Sequence, residues 1–599
     1  MFATPMHCVA KHSTRTVLAC AALLAGACTQ GGVDNASAGA DGSERSDSSH
    51  GGDGSDGSDG SDGSDGSDGS DSSVDSDGEE IDDCEDDIVV VGVTPMRRIT
   101  RTEYNNTVRD LLGDETAPAN AFLLDEKFGK FTNNSVAAIT TLMFEKYQAA
   151  AIQLSTDAIA RMDDLLPCDP IVVGEDACAS TFIEVFGARA YRRPLEPDEA
   201  QGLFTVYDGA QVAPDGPDPF SGRIALVIEA LLQSPGFLYR PALGDQTDGA
   251  GDDGDVVALT DYEVASRLSY MIWATMPDQS LFDAAAAGEL STRDEIAAEA
   301  ARMMQDGKFV ATVESFHNQW LRLDAISGVT KDAEIYPSFS EELREAMLRE
   351  SQAFIKDVVI DGDSRLETLF TSNESFVNRE LAELYGVPFT GASDEWVRVE
   401  LPAEERAGML THVGVLATLA TPNQSSPVMR GVMIRENILC QHLPPPPPGV
   451  SDSPPELGPD ATTRERYEAH TQDPICASCH RLIDGIGFGF EHYDAVGRYR
   501  DVENGKPVDG SGEIEDAGSI DGEYDGAVEL SRILGSSDEV RACVGELWME
   551  YALGRPVVED DKCSREAVYK DFVASDYQIR ELITAVVGSD AFRYSGIEN

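Results

Sequence analysis

From Ile88 to the C-terminus, apolar residues recur mostly at the three- and four-residue spacing of amphipathic helices, which predicts a mainly α, multidomain chain. The one strongly strand-like run is Ile88-Val89-Val90-Val91-Gly92-Val93. A complete helix start follows it. Thr100 is placed as N-cap with Glu103 closing a capping box, Ile99 and Tyr104 form a hydrophobic staple, Val108, Leu111 and Leu112 share a face, and Gly113 ends the helix. The same device recurs at Thr260 and Glu263, opening a helix that turns Leu268, Met271 and Ile272 inward before Pro277 stops it. Further helices are expected near Ser291 and Ser340. Ser426-Pro427 puts proline at a first helical position and leads through Met429, Met433 and Ile438 to Cys440.

Two stretches break this pattern: the acidic, apolar-poor segment from Gly244 to Asp255, and Pro444 to Pro448 with Gly449, which must be extended and reads as a stiff strap. The expected domains are therefore 88–165, 166–243, 256–386, 387–450 ending in the strap, and 451–599. On this reading, deletion from Pro444 onward leaves the upstream helical domains folded.

Ahead of Ile88 the chain has a different character. Lys11 and Arg15 precede an apolar run from Val17 to Ala27, too short to span a bilayer, and small residues lead to Cys28, so residues 1–28 read as an export signal. The ending Leu24-Ala25-Gly26-Ala27-Cys28 resembles a bacterial lipoprotein signal, departing from it at Ala25. That resemblance implies cleavage before Cys28 and lipidation of its thiol, and Thr29 in the next position implies an outer-membrane-anchored protein, periplasmic or at the cell surface. Residues 29–87 contain a repeated Asp-Gly-Ser triplet with nothing to bury, the composition of a disordered, solvated spacer rather than a calcium loop.

Charge narrows the partners. The 599 residues carry a formal net charge of −63, a field that repels phosphate backbones, so general nucleic-acid binding is excluded. No G-x-S-x-G, Walker, dinucleotide-glycine or H-E-x-x-H pattern is present, which leaves hydrolase and nucleotide chemistry without local support. Catalytic residues are not identifiable from the sequence.

Eleven cysteines in an exported chain point to oxidised or ligated thiols. The informative pair lies in Cys476-Ala477-Ser478-Cys479-His480, a C-x-x-C-H sequence, the attachment signature of haem c. One helical turn between the thiols lets both form thioethers to one haem, and the adjacent imidazole of His480 becomes the proximal iron ligand. The competing readings are a Cys476–Cys479 disulfide or half of a zinc site. Candidates for the sixth iron ligand are His470, His412, His317, Met429, Met433 and Met549, each with an ordinary packing role as its alternative. After the motif, Gly485, Gly487 and Gly489 alternate with Ile486, Phe488 and Phe490, which reads either as a haem-edge wall or as a turn packing on its own domain. Asp494, Arg498 and Arg500 follow, any arginine being a possible propionate partner or an ordinary charge. Of the remaining cysteines, sequence proximity pairs Cys168 with Cys178 and Cys543 with Cys563, leaving Cys84 with Cys440.

Five stretches together resemble one family. They are Arg98-Ile99-Thr100 through Leu112-Gly113; Ala190-Tyr191-Arg192-Arg193-Pro194-Leu195; Ala265-Ser266-Arg267-Leu268-Ser269-Tyr270; Ser425-Ser426-Pro427-Val428 with Arg430-Gly431; and Gly487-Phe488 to Gly497-Arg498 with Tyr551-Ala552-Leu553-Gly554-Arg555. In this order they are similar to the planctomycete-type cytochrome and associated domains, a set of domains of unknown function, over roughly residues 95 to 595. The resemblance implies an extracytoplasmic, helical protein with a cytochrome-like element at Cys476, Cys479 and His480. It also implies a histidine shortly before the motif, matched by His470, a candidate distal ligand. The chain departs from the family pattern at Gly485, where proline is commoner, and at His492, where asparagine is.

The leading expectation is a membrane-tethered c-type cytochrome with one covalent haem, serving electron transfer or as a redox subunit toward an unidentified partner protein or small-molecule substrate. A surface lipoprotein without haem that binds a polymer or protein partner is the alternative, and a haem oxidoreductase acting on peroxide or an organic substrate is a third reading.

Overall fold

The first helix, Arg101–Leu112, forms as its sequence dictates. Thr100 Oγ1 accepts from the Glu103 amide, the Glu103 carboxylate accepts from the Thr100 amide at 2.7 Å, and Gly113 closes the helix with φ 68°. Its inner face carries Tyr104, Val108, Leu111 and Leu112 into a core shared with helices Thr141–Ala158, Glu175–Tyr191 and Pro219–Gln233. In this computed structural model the described residues are 84, 89–135, 138–211, 218–244, 256–392, 395–444, 457–470 and 474–597. The expectations for the signal, Cys28, the Asp-Gly-Ser segment, most of the acidic stretch after Gly244 and most of the proline strap lie outside them. All described residues except Cys84 belong to one unit, residues 86–599.

The chain is mainly helical. Among the described residues the strands form only two-stranded antiparallel pairs. The run at Val89 to Val93 is not a strand: its one ladder contact is a parallel bridge from Val93 to Gly596. The partner strand Tyr594–Gly596, paired on one edge with Val256–Ala258, is three residues long and pairs with the run only at Val93. Hydrophobicity here serves burial of Val91 instead. The expected start at Thr260 is present with its capping box, but the helix ends at Trp273, ahead of Pro277, with Ala274 left-handed at φ 51°. Ser340 and Ser426 cap helices Glu341–Lys356 and Pro427–Met433, and Thr292, next to Ser291, caps Arg293–Met303.

A second core runs from the central segment to the C-terminus. Phe316 of helix Phe309–Trp320 stacks on Trp548 of helix Asp538–Leu553 at 3.9 Å between ring centres. Trp320 Nε1 donates to the Asn437 carbonyl at 2.7 Å while Asn437 Nδ2 donates back to the Trp320 carbonyl at 2.6 Å. Asn437 sits in a π-helical turn, Ile434–Ile438, that continues helix Pro427–Met433. C-terminal side chains such as Phe572, Leu582, Ile583 and Phe592 are thus part of the same buried cluster as Leu268, Phe316 and Leu369. The N-terminal helices own a core, but the central helices do not own a complete one.

The disulfides bear out one expected pairing and correct two, Cys543 with Cys563 and Cys84 with Cys440. Cys168 and Cys178 are joined, bracketing the short helix Pro170–Val173. Cys543 is joined to Cys440, not to Cys563, with Cα atoms 5.4 Å apart. The reason is geometric: Cys543 lies on the buried face of its helix, its sulfur 3.6 Å from the Asn437 carbonyl, so the chain leaving the π-helical turn arrives beside it. Proximity in sequence does not register this tertiary contact. Cys84 and Cys563 are each disulfide-bonded. No described helix is long and apolar enough to cross a membrane.

Glu350 is fully buried in the central core. Its Oε1 accepts from Ser375 Oγ and Tyr385 Oη, both at 2.6 Å, joining helix Glu341–Lys356 to strand Glu374–Val377 and helix Arg379–Tyr385. Burial pushes its carboxyl up to about 7.

Two outcomes follow from this core. Ending the chain before Pro444 removes Trp548, Phe572 and Leu582 from the shared cluster, so urea unfolding of residues 86–443 should show no cooperative transition for the central helices; a cooperative one would contradict the shared core. Because Glu350 holds a proton in the fold that the unfolded chain releases, its contribution is present below about pH 4.5 and is lost as pH rises towards about 7. Glu350→Gln should therefore gain about 2 kcal/mol relative to the parent between pH 5.5 and pH 8 in urea titrations, and a pH-independent difference would refute this.

Candidate functional site

The C-x-x-C-H sequence lies in the first two turns of helix Pro474–Phe488, which begins with proline at its first position. Cys476 and Cys479 are one turn apart on this helix. The side chains of Cys476 and His470 lie outside the described residues, while Cys479 and His480 are half-buried. His480 Nδ1 lies 3.1 Å from both Oδ1 and Oδ2 of Asp484, one turn further on, whose carboxylate is buried. An ionised carboxylate only accepts, so this contact places the imidazole proton on Nδ1 and makes Nε2 the nitrogen suited to a metal.

Backbone contact fixes the helix in place. Helix Pro427–Met433 crosses it so closely that a Cβ on Gly431 would meet the Ile483 carbonyl oxygen at 2.1 Å, and one on Gly487 would meet the Pro427 carbonyl at 2.0 Å. Gly485 lies against the Glu513 backbone and Gly489 against the Tyr524 ring. The glycines after the motif therefore serve protein packing. The stretch is not a turn but the last turns of the motif helix through Phe488, with Phe490 buried in the core and Phe488 under the Arg464 guanidinium at 4.6 Å.

Two buried arginines from the crossing segment complete the clamp. Arg430 donates to the carbonyls of Phe490 at 2.7 Å, Tyr493 at 3.1 Å and Asp494 at 3.1 Å. Arg435 donates to the Leu482 carbonyl at 2.7 Å and to the Glu515 carbonyl. Burial lowers Arg430 to about 10, with Glu491 and Asp494 acting the other way. Glu491, buried beside it, is pushed up to about 7 by desolvation, against the pull of Arg430 and Arg500. Its Oε2 accepts from Ser425 Oγ at 3.1 Å. Arg500 pairs with Glu503 at 3.0 Å, and Glu503 accepts from the Thr463 amide and hydroxyl at 2.9 and 2.7 Å. That chain of bonds anchors helix Thr463–His470, which ends on His470 three undescribed residues before the motif helix. Arg500 is thus committed within the protein, Asp494 accepts the amides of Val496 and Arg498 in a turn, and Arg498 is exposed.

The structure places the other ligand candidates at packed positions in the interior, with His317 Nε2 buried and without a partner among the described residues. His317 is fully buried, its Nδ1 2.7 Å from the Val313 carbonyl, and burial lowers it to about 4. His412 packs edge-on against Phe354, contacts Ser351 Oγ at 3.1 Å, and is lowered to about 3 by burial and then by Arg406. Met433 and Met549 are buried in the main cluster and Met429 packs against it. Asp484 escaped the sequence reading although its signal, a carboxylate four residues after a candidate ligand histidine, was available. Arg430 and Arg435 had none, since their carbonyl partners are distant in sequence.

Five family models match in chain order, each described as a protein of unknown function: DUF1587 at residues 97–160, DUF1595 at 178–241, DUF1592 at 259–387, DUF1588 at 406–503 and DUF1585 at 521–592. The DUF1588 match spans both the crossing helix and the C-x-x-C-H helix, consistent with their glycine-to-backbone contacts. No curated protein and no solved structure matches the chain. By this ordered set, the chain belongs to the planctomycete cytochrome-like family of domains of unknown function.

Proposed function

We propose that the chain is an extracytoplasmic c-type cytochrome-like protein, tethered to a membrane by lipid on Cys28, that carries one covalent haem and exchanges electrons with a redox partner. The observation that carries this reading is the C-x-x-C-H sequence at the start of a helix whose histidine has its Nδ1 held by a buried carboxylate. The donor set fits the group: Cys476 and Cys479 would hold it by thioethers, and His480 would present Nε2 to the iron. Haem supplies one-electron redox chemistry when bound.

Asp484 is a positioning residue in this account. By accepting the Nδ1 proton it fixes the tautomer and ring orientation of His480 and makes the imidazole a stronger donor, which favours the higher oxidation state of a bound metal. The Gly431 and Gly487 crossing and the Arg430 clamp hold the helix rigid, so little reorganisation accompanies a change of charge. With a formal net charge of −63, electrostatic steering suits a basic partner.

The test is a pyridine haemochrome spectrum with intact mass on protein expressed with a c-type maturation system, beside Cys476→Ala/Cys479→Ala and Asp484→Asn. The expected result is one covalent haem in the parent, none in the double cysteine variant, and covalent haem with a raised midpoint potential in Asp484→Asn. No haem in the parent, where a control cytochrome matures, overturns the proposal and leaves a disulfide-bonded surface protein whose role lies in binding.

A further inference from the structure

A second cluster lies away from the motif helix, in a small cavity lined by Thr94, Arg97, Arg240, Glu263, Ser266 and Arg267 together with neighbouring backbone. These residues come from separate parts of the chain. Thr94 and Arg97 precede the first helix, and Arg97 lies on the strand Arg97–Arg98 that pairs with Tyr239–Arg240. Ser266 and Arg267 belong to helix Asp261–Trp273, and Ala552 and Leu553 at the end of helix Asp538–Leu553 close the far side.

Five of the residues that line this cavity carry a buried polar atom without a partner among the described residues. Thr94 Oγ1, Arg97 Nε, Arg240 Nε, Ser266 Oγ and Arg267 Nη2 are all buried and have no hydrogen-bond partner among the described residues. The Arg240 side chain is only 9% exposed. Every one of these atoms can donate, and the three guanidinium nitrogens can do nothing else. Leaving a buried donor unmatched costs about 1–3 kcal/mol, more for a charged group, so a shared acceptor is called for. A water molecule offers two lone pairs, too few for this set. An anion accepts from all directions.

Charge leads to the same ligand class. Three guanidiniums face two carboxylates. Glu103 is bonded to Arg240 at 2.8 Å. Glu263 directs its oxygens to the amides of Thr260, Leu243 and Gly244, at 2.7 to 3.3 Å. The arginines are otherwise held by carbonyls, Arg267 by Phe592 at 2.7 Å and Arg97 by Ala552 at 3.5 Å. One positive charge is left over. Burial and then Arg240 lower Arg97 to about 10, and burial followed by Arg555 lowers Arg267 to about 9, as expected of cations crowded without a counter-ion.

We infer that this cavity binds a small monovalent anion, of chloride or formate size, as a structural ligand joining the N-terminal segment, the central helix and the C-terminal helix. The room supports a small species: the space open to a water-sized sphere is about 20 Å³, enough for one water or a single ion. Binding to the folded state alone raises stability in proportion to the logarithm of anion concentration above its dissociation constant.

The experiment uses the full chain, with chloride as the probe against gluconate at fixed ionic strength, and bromide in crystals. Melting temperature should rise with the logarithm of chloride concentration above the dissociation constant, by about 2–4 °C per tenfold increase, and the rise should vanish in Arg97→Gln. Bromide should give an anomalous peak in the cavity. A melting temperature that ignores the identity of the anion, or a cavity without a bromide peak, overturns the inference. Should Arg97→Gln not fold, the bromide peak and the chloride dependence of the unmodified chain still decide it.

Discussion

The approach of helix Pro427–Met433 to helix Pro474–Phe488 is the contact on which the motif region depends. It works because glycine stands on both sides, Gly431 facing the Ile483 carbonyl and Gly487 facing the Pro427 carbonyl. Any side chain at either position would push the helices apart and move His480 with them. The same crossing places Arg430, one residue before Gly431, where its guanidinium reaches three carbonyls of the turn that follows the motif helix. Close packing and donor supply are coupled: the first brings irregular backbone into the interior, and the second satisfies its exposed acceptors.

Buried arginine is the recurring answer to this problem across the molecule. Arg192 donates to carbonyls of Ala190, Gly236, Phe237 and Tyr239, and Arg406 to those of Thr411 and Gly497. With five N–H groups in a rigid fork, one arginine can satisfy several loop carbonyls that no helix or ladder reaches. Arg555 differs in pairing with the carboxylate of buried Asp561. Arg192, Arg430 and Arg555 all fall within the stretches that carry the family resemblance, so much of that signature is architecture. The proposed chemistry rests on a shorter piece, from Cys476 to Asp484.

What could be read from the sequence was what is local. Capping boxes at Thr100 and Thr260, proline at a first helical position at Pro427, and the C-x-x-C-H spacing are each set by residues within a few positions of one another. The run at Val89 to Val93 misled because hydrophobicity reports burial, and whether a buried extended segment joins a ladder depends on a partner at Gly596. The pairing of Cys543 with Cys440 was hidden for the same reason, since it is decided by which helix face meets the π-helical turn. The alternating glycines after the motif carried a correct signal, close approach, without saying what approaches. Asp484 alone was both local and overlooked.

The central claim is that Arg430 and the glycine crossing hold the motif helix rigidly in register with the rest of the fold. Amide hydrogen exchange of Arg430→Met, compared with the parent protein, tests it most directly. The expected result is a faster exchange, by about 100-fold, across residues 474 to 494, since losing a buried multi-carbonyl donor costs on the order of 3 kcal/mol, while the core around Tyr104 and Phe182 keeps its protection. Unchanged protection of the motif helix in that variant would contradict the account.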